Sequence, residues 1–421
     1  MELFISQSSV SLLFIAIFFI DSLAHGLNLK TSREPLPVEL RDLQTDVQQK
    51  KASDYLRDRL TLIFLKDSFF LILFLVLLFS GFFSFLQRQA MELFSGPYFQ
   101  AFYFAGVLAL GQAILGLPFS AYSTFKIESK YGFNRTDVKT FVSDLVKGAL
   151  LTVILGGLIF SFILKMLGTF GSHAWFAMWI GYSVFQFLIV WIAPVTLLPL
   201  FLKLSPLPEG PLKDSIKAYS RKQDFKLDGA WVCDASKRSS KSNAFFTGFG
   251  KFRRLVLFDT LIAKHTPEEI VAIVAHEAGH FKLGHIWKMS IASAISSLIF
   301  FFVIQKMIET QTLYEAFQIS NANLGMGLVL ATIVFSKLLF FVSPIRSYIS
   351  RRNEFSADHF SLTTNGNAQA LVSGLKRLVA DNLATLQHHP LYVFLYDSHP
   401  PLPDRIKPLI KPLTQALNKS K

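Results

Sequence analysis

His276, Glu277 and His280, in the stretch AHEAGHF at 275–281, are the residues whose types and spacing most directly suggest chemistry. Side chains four apart on a helix share one face, so both imidazoles can grip a single ion. Glu277, next to the first histidine, can reach a water on that ion without binding the ion itself. This H-E-x-x-H pattern arises by chance in roughly one chain of this length per hundred. The chemistry it suits is hydrolysis: zinc lowers the pKa of water from 15.7 to about 7 and polarises a carbonyl, while the carboxylate moves the proton. A helix with two incidental histidines is the competing reading.

A catalytic zinc needs a third protein ligand and an open position. His285 lies nine residues past His276, about 900° around an unbroken helix and half a turn out of phase. It is expected to point away, as a polar residue at the helix end. The better candidate is Glu354, in SRRNEFSADHF at 350–360. Glu354 and Asp358 are four apart and share a face. One can bind the ion while the other accepts a ligand histidine's N–H. The same spacing also suits a solvated acidic face.

The elements that must position these residues are set by composition. Half of the chain is hydrophobic, 44 of its 421 residues are Phe and only 17% are charged, against about 25% in soluble chains. Seven apolar runs approach bilayer-spanning length: 8–26, 67–86, 99–123, 147–168, 174–200, 286–308 and 325–345. In hydrocarbon each must satisfy its own backbone, so each is expected to be a helix. Between His280 and Glu354 the chain crosses twice, which returns Glu354 to the side it left. Lys and Arg mark cytoplasmic loops. Segment 27–66 carries eight and 124–147 five, whereas 87–98 has only Arg88. The alternation puts the N-terminus outside and the C-terminus in the cytosol. A first run cleaved as a signal peptide is the alternative, disfavoured because Met1-Glu2-Leu3 lacks positive charge.

The net charge of +13 is accounted for by basic loops beside anionic lipid, and no pattern argues for a nucleic-acid partner. Cys233 is the single cysteine, which excludes an intrachain disulfide and a cysteine metal cluster. Clustered prolines in PVTLLPLFLKLSPLPEGPL mark a boundary. Short strands are expected at 228–234 and 252–258. Thr266-Pro267 followed by Glu268 and Glu269 begins the histidine helix well. Charged residues within the spans are scarce, which argues against an ion path. Ser290, Ser293, Ser296 and Ser297 form a small-residue stripe on the sixth span, suited to close helix packing or to lining a polar chamber.

Taken in order, DYLRDRL, PLFLKLSPLPEGPL, SNAFFTGFGKFRRLVLFDTL, AHEAGHFKLGH, SRRNEFSADHF and SHPPLPDRI resemble the type 1 CAAX prenyl endopeptidases, integral-membrane zinc peptidases with seven spans. Smaller membrane relatives share the HExxH and ExxxD elements but lack the extra N-terminal spans. The resemblance implies that His276, His280 and Glu354 bind one Zn2+ per chain, that Glu277 is the catalytic base and that Asp358 supports a ligand. It also implies that Asn243 lies near the cleft beside an edge strand pairing with substrate, that His399 faces the metal as a catalytic group, and that Arg405 binds substrate nearby. Read without the family, Asn243 is a turn residue and SHPP a proline-ended loop.

The expected fold is an all-α multi-pass membrane protein, about seven helices around a chamber, with a cytosolic-side peptidase region containing a small β element. Its expected parts are 1–204 (five membrane helices), 205–285 (insertion with the edge strand and the HExxH helix), 286–345 (the last two membrane helices) and 346–421 (third ligand and SHPP). The expected function is removal of the C-terminal tripeptide from prenylated proteins or peptides. A quality-control zinc protease acting on non-prenylated membrane proteins, and a zinc transporter, are the alternatives. The membrane is endoplasmic reticulum in a eukaryote and plasma membrane in a bacterium.

Overall fold

The computed structural model describes residues 5–36, 41, 44–224, 229–247, 254–320 and 323–419, with side chains as far as 410. The membrane half begins with α1 (Gln7–Ser32), α2 (Asp46–Phe79), α3 (Phe82–Leu93) and α4 (Pro97–Tyr122). It continues with α5 (Val138–Leu151), α6 (Gly157–Phe170), α7 (Ala174–Thr196) and the short α8 (Leu198–Phe201). Side chains at the starts explain several boundaries. Thr45 and Gln48 form a capping box on α2, and Asp137 accepts the Thr140 N–H on α5.

Among the described residues six helical stretches are long and apolar enough to cross a bilayer, and one of them, Val138–Phe201, has 64 residues. At 1.5 Å per residue that stretch is about three times the hydrocarbon thickness. It turns back at Gly171, where φ is +51°, and α6 packs along α7, so it makes two crossings and brings the total to seven. The run expected at 67–86 is cut at its end. α2 stops at Phe79, the chain turns at Gly81, and α3 is a separate amphipathic helix.

The peptidase half interleaves β1 (Leu204–Pro206), α9 (Pro211–Lys222), β2 (Ala230–Cys233), β3 (Ala244–Thr247), β4 (Arg254–Phe258), α10 (Asp259–Lys264) and α11 (Pro267–Lys282). The strands form one sheet in the order β1-β2-β4-β3, with β2 and β4 parallel and the other pairs antiparallel. The two predicted strands are present as β2 and β4, although residues 228, 252 and 253 lie outside the described residues. β1 and β3 were not expected from periodicity, although the resemblance implies an edge strand beside Asn243, where β3 stands.

α12 (His285–Ile308), α13 (Gln311–Ala316) and α14 (Leu324–Leu338) return the chain through the membrane half. α14 then runs through a 3-10 turn into α15 (Ser343–Asn365), a single apolar-to-polar run from Leu324 to Asn365. The boundary expected at residue 345 therefore falls inside continuous helix. Pro344 does not break it, because it occupies the first turn of α15, where no amide is needed. α16 (Ala368–Asp381), α17 (Pro390–Leu395) and α18 (Leu402–Lys419) complete the fold.

The two largest hydrophobic clusters among the described residues follow this division. In the membrane half Phe83, Phe104, Met178, Ile304 and Phe317 are buried together, with Phe83 and Phe317 edge to face at 4.9 Å. Large apolar side chains on the outer faces, such as Ile72, Leu110, Ile154 and Val184, are exposed, as lipid-facing positions must be. In the peptidase half Leu255 and Leu257 of β4 pack on Ile270, Val274 and Ala275 of α11. The loops grouped by charge also meet. Tyr55 donates to Glu128 at 2.5 Å, Lys241 donates to Glu128 at 2.8 Å, Ser242 N–H donates to Asn382, and His389 N–H donates to Asn28. Away from them, Ile5 N–H donates to Thr312 and Gln318 donates to the Leu78 carbonyl. The basic segments thus share one end of the helix bundle.

Between α1, α2, α4, α12 and α14 lies a chamber of about 1230 Å³ with walls that include Phe14, Phe70, Phe74 and Phe301. Asp21, Asp67 and Lys337 also line it, so the spans carry more charge at one place than the sequence suggested. Of the serine stripe, Ser293 accepts from Gln186 of α7 at 3.0 Å and Ser297 is buried. None of the four lines this chamber.

Candidate metal centre and active site

α11 starts as its sequence predicts. Thr266 accepts the Glu269 N–H, Glu269 accepts the Thr266 N–H, and Pro267 fills the first turn. The helix lies against α15 along its length. Gly279, between the two histidines' turns, permits the approach: a Cβ there would stand 3.0 Å from the Ala357 Cα. The Ser361 hydroxyl donates to the Ala272 carbonyl at 2.9 Å and fixes the register of the two helices.

That register brings His276, His280 and Glu354 together, with one ligand atom from each within 4.8 Å of the others. His276 Nε2 lies 3.2 Å from His280 Nε2 and 3.4 Å from Glu354 Oε2, and His280 Nε2 lies 3.2 Å from Glu354 Oε1. A tetrahedral ion with bonds of about 2.0–2.1 Å needs donors about 3.3 Å apart, so the donor set fits such an ion. Glu354 Oε2 is buried and receives no well-formed hydrogen bond, having only the ion-pair contacts of His276 Nε2 at 3.4 Å and Arg405 Nη1 at 3.5 Å, so it retains acceptor capacity that a cation would use.

Behind the donors, Asp358 Oδ1 lies 2.8 Å from His276 Nδ1. Arg405 clamps both oxygens of Asp358, at 2.7 and 2.8 Å, and its Nη1 lies 3.5 Å from Glu354 Oε2. Its guanidinium is buried and committed to these carboxylates. Burial disfavours charge on His276, yet its bonds to Asp358 and Glu354 outweigh that and lift its pKa to about 9. The pocket therefore attracts a positive charge at the donor atoms. Burial raises the pKa of Glu277, with the two histidines opposing the rise.

In front of the donors is a cavity of about 550 Å³, whose walls include Glu277, His280, Glu354, His399, Phe245 and Phe246. His399 is exposed into it, with Nε2 3.4 Å from Glu354 Oε1. The segment leading to His399 is tied to α15 by Arg351, which donates to the Val393 and Asp397 carbonyls, each at 2.7 Å. β3 borders the cavity through Phe245 and Phe246 and stands at the edge of the sheet among the described residues. Asn243, at the foot of β3, accepts the Ala244 N–H and is exposed. It is not among the cavity's lining residues. Ser290 is one of them.

His285 departs from expectation. It is 5% exposed, and its Nδ1 lies 3.1 Å from His280 Nδ1. The phase argument assumed an unbroken helix, but Gly284 has φ +70° and separates α11 from α12. The glycine before His285 was the available signal, because it supplies the left-handed conformation at no steric cost.

Residues 26–203 match the family described as CAAX prenyl protease N-terminal, five membrane helices, and residues 206–413 match peptidase family M48. A probable CAAX prenyl protease 1 of Schizosaccharomyces pombe is 37% identical over 71% of this chain and 63% of its own length. The Arabidopsis thaliana CAAX prenyl protease 1 homologue is 37% identical over 72% of each, and the human homologue is 33% identical over 74% and 73%. The crystal structure of S. mikatae Ste24p superposes with a TM-score of 0.90 at 31% identity, covering 96% of this chain and 98% of that one. The five-helix membrane domain, the M48 region that follows it and the paired His-Glu donors occur in one chain, which belongs to the CAAX prenyl protease 1 family of multi-pass membrane metallopeptidases.

Proposed function

We propose that this protein is a zinc endopeptidase that removes the last three residues of prenylated proteins ending in Cys-aliphatic-aliphatic-X. The observation that carries the reading is the triangle of donors, 3.2–3.4 Å on each side, beside Glu277 and open to a cavity at the end of the membrane helices. His276, His280 and Glu354 hold the zinc. Bound there, zinc supplies Lewis acidity that polarises a peptide carbonyl and makes water nucleophilic near neutral pH.

The chain's own groups do the rest. Glu277 takes the proton of the attacking water and passes it to the departing amine. His399 donates to the developing oxyanion, a contribution typically worth about 3 kcal/mol. Edge strand β3 receives the substrate backbone as an added strand, with Phe245 and Phe246 against its side chains. Asp358 holds the His276 ring by Nδ1. Arg405 keeps Asp358 ionised and aimed, and so acts behind the ligands rather than on substrate.

Glu354 sits on a helix that emerges directly from a membrane span, which suits a substrate whose lipid anchor confines it to the bilayer. By the distribution of Lys and Arg the N-terminus is luminal and the catalytic end cytosolic, and its relatives' eukaryotic origin points to the endoplasmic reticulum membrane.

The test uses purified protein in detergent and two peptides of equal length, one farnesylated. The expected result is release of the tripeptide from the farnesylated peptide, loss of about 10³-fold or more in rate for Glu277→Gln, and unchanged zinc content in that variant. Equal cleavage of both peptides would instead favour a general membrane-protein protease. Zinc flux into liposomes insensitive to Glu277→Gln would favour a transporter.

A further inference from the structure

The two ligand histidines are supported differently. His276 has a carboxylate at Nδ1, from Asp358. His280 has an imidazole there, with His285 Nδ1 at 3.1 Å and the rings edge to face at 5.1 Å. We infer that His285 is the positioning residue for His280, a neutral acceptor that fixes its tautomer and ring plane. This rests on the metal reading above.

The proton arrangement follows from the atoms. His280 Nε2 faces His276 and Glu354, so it must be bare to bind a cation, and the ring's proton is then on Nδ1. The atom nearest that proton is His285 Nδ1, which must itself be bare to accept it. The proton of His285 is then on Nε2. The reverse arrangement, with His285 donating, puts the His280 proton on Nε2 and blocks the metal. The pair therefore admits one proton pattern compatible with binding.

Gly284 makes the contact geometrically available. A Cβ at Gly284 would meet nothing within 4 Å, so the position requires glycine for its φ of +70° and not for space. Continued as helix, the chain would carry His285 to the opposite face. A neutral acceptor also has an electrostatic consequence. Glu354, Asp358 and Glu277 already crowd the site with Arg405 as the nearby cation, and a further carboxylate behind His280 would reduce the zinc's electrophilicity. An imidazole orients the ligand without adding charge.

The experiment compares full-length parent, His285→Leu, His285→Asn and His285→Gln in detergent. Zinc affinity is measured by competition with a chelator, and the visible spectrum of the Co2+-loaded protein reports the ligand field. Leu keeps bulk but cannot accept, whereas Asn places an oxygen near the position of the imidazole Nδ1. Outer partners of metal-bound histidines are typically worth 10- to 100-fold in affinity. His285→Leu should lose about that much zinc affinity and shift the Co2+ spectrum, while His285→Asn stays near the parent in both. If the Leu variant does not fold, the same ordering should hold with Gln, whose oxygen falls near the Nε2 position, as the weak variant. Parental zinc affinity in His285→Leu, or equal losses in the Asn and Gln variants, would overturn the inference. A parent chain that binds neither metal would instead sink the metal centre itself, and this inference with it.

Discussion

The chamber between the membrane helices holds about 1230 Å³ and is walled mainly by aromatic and aliphatic side chains such as Phe14, Phe70, Phe74 and Phe301. The cavity before the proposed metal ligands holds about 550 Å³ and sets Glu277, His280, Glu354 and His399 among apolar walls such as Val190, Phe245, Phe246 and Met289. The two share no lining residue. In the first, shape is held by apolar contact, and Lys337 rests over the Phe14 ring at 5.0 Å. Behind the second, Glu354, Asp358 and Arg405 are buried and paired with one another. The difference teaches that charge is incidental to the chamber's shape, whereas in the clamp behind the donors each of these three charges is the counterpart of a neighbour and is costly to remove alone.

The largest effect expected is on the metal. Glu354→Ala removes one of three donors, and metal analysis of the purified variant should find the stoichiometric ion lost. Retention of a full equivalent would break the comparison at its base. Next is the clamp behind the ligands. Asp358→Ala strips the buried guanidinium of both its hydrogen-bonded oxygens and leaves it the 3.5 Å ion pair with Glu354, a change that typically costs about 3–5 kcal/mol, and thermal unfolding in detergent should show it. The double variant Asp358→Leu with Arg405→Met should be less destabilised than either single change, and additivity would show that the clamp is not a unit.

Gly279→Ala sharpens the point without touching a charge. Its Cβ would press on Ala357 at 3.0 Å, and overpacking of this kind costs about 1–3 kcal/mol. Zinc affinity should fall along with stability, because the spacing of the two helices sets the donor triangle. The smallest effect belongs to the chamber. Lys337→Met removes a cation–π contact worth about 0.5–1 kcal/mol and should leave zinc content unchanged. A loss of metal from that variant would show that the two cavities are coupled.

Legibility varied along the chain with the range of the interactions involved. The HExxH pair and its capped helix could be read because both depend on neighbours within four residues. The spans could be read because hydrocarbon imposes one solution on a long apolar run. β1, three residues long, carries too little pattern to be seen, and β3 is made a strand by its pairing with β4 rather than by a pattern of its own. His285 was misplaced because a single positive-φ glycine changed the phase of everything after it.

The sequence by itself determined the multi-pass membrane class and singled out the proposed donors, since these follow from local periodicity and from the chemistry of residue types. Only the tertiary structure decided that α11 and α15 pack close enough to close the triangle. It also decided that Arg405 turns to Asp358 and that Asn243 stands outside the cavity. Those outcomes depend on contacts between residues as many as 129 positions apart, such as His276 and Arg405. Contacts of that span leave no spacing to read, because packing alone brings their partners together.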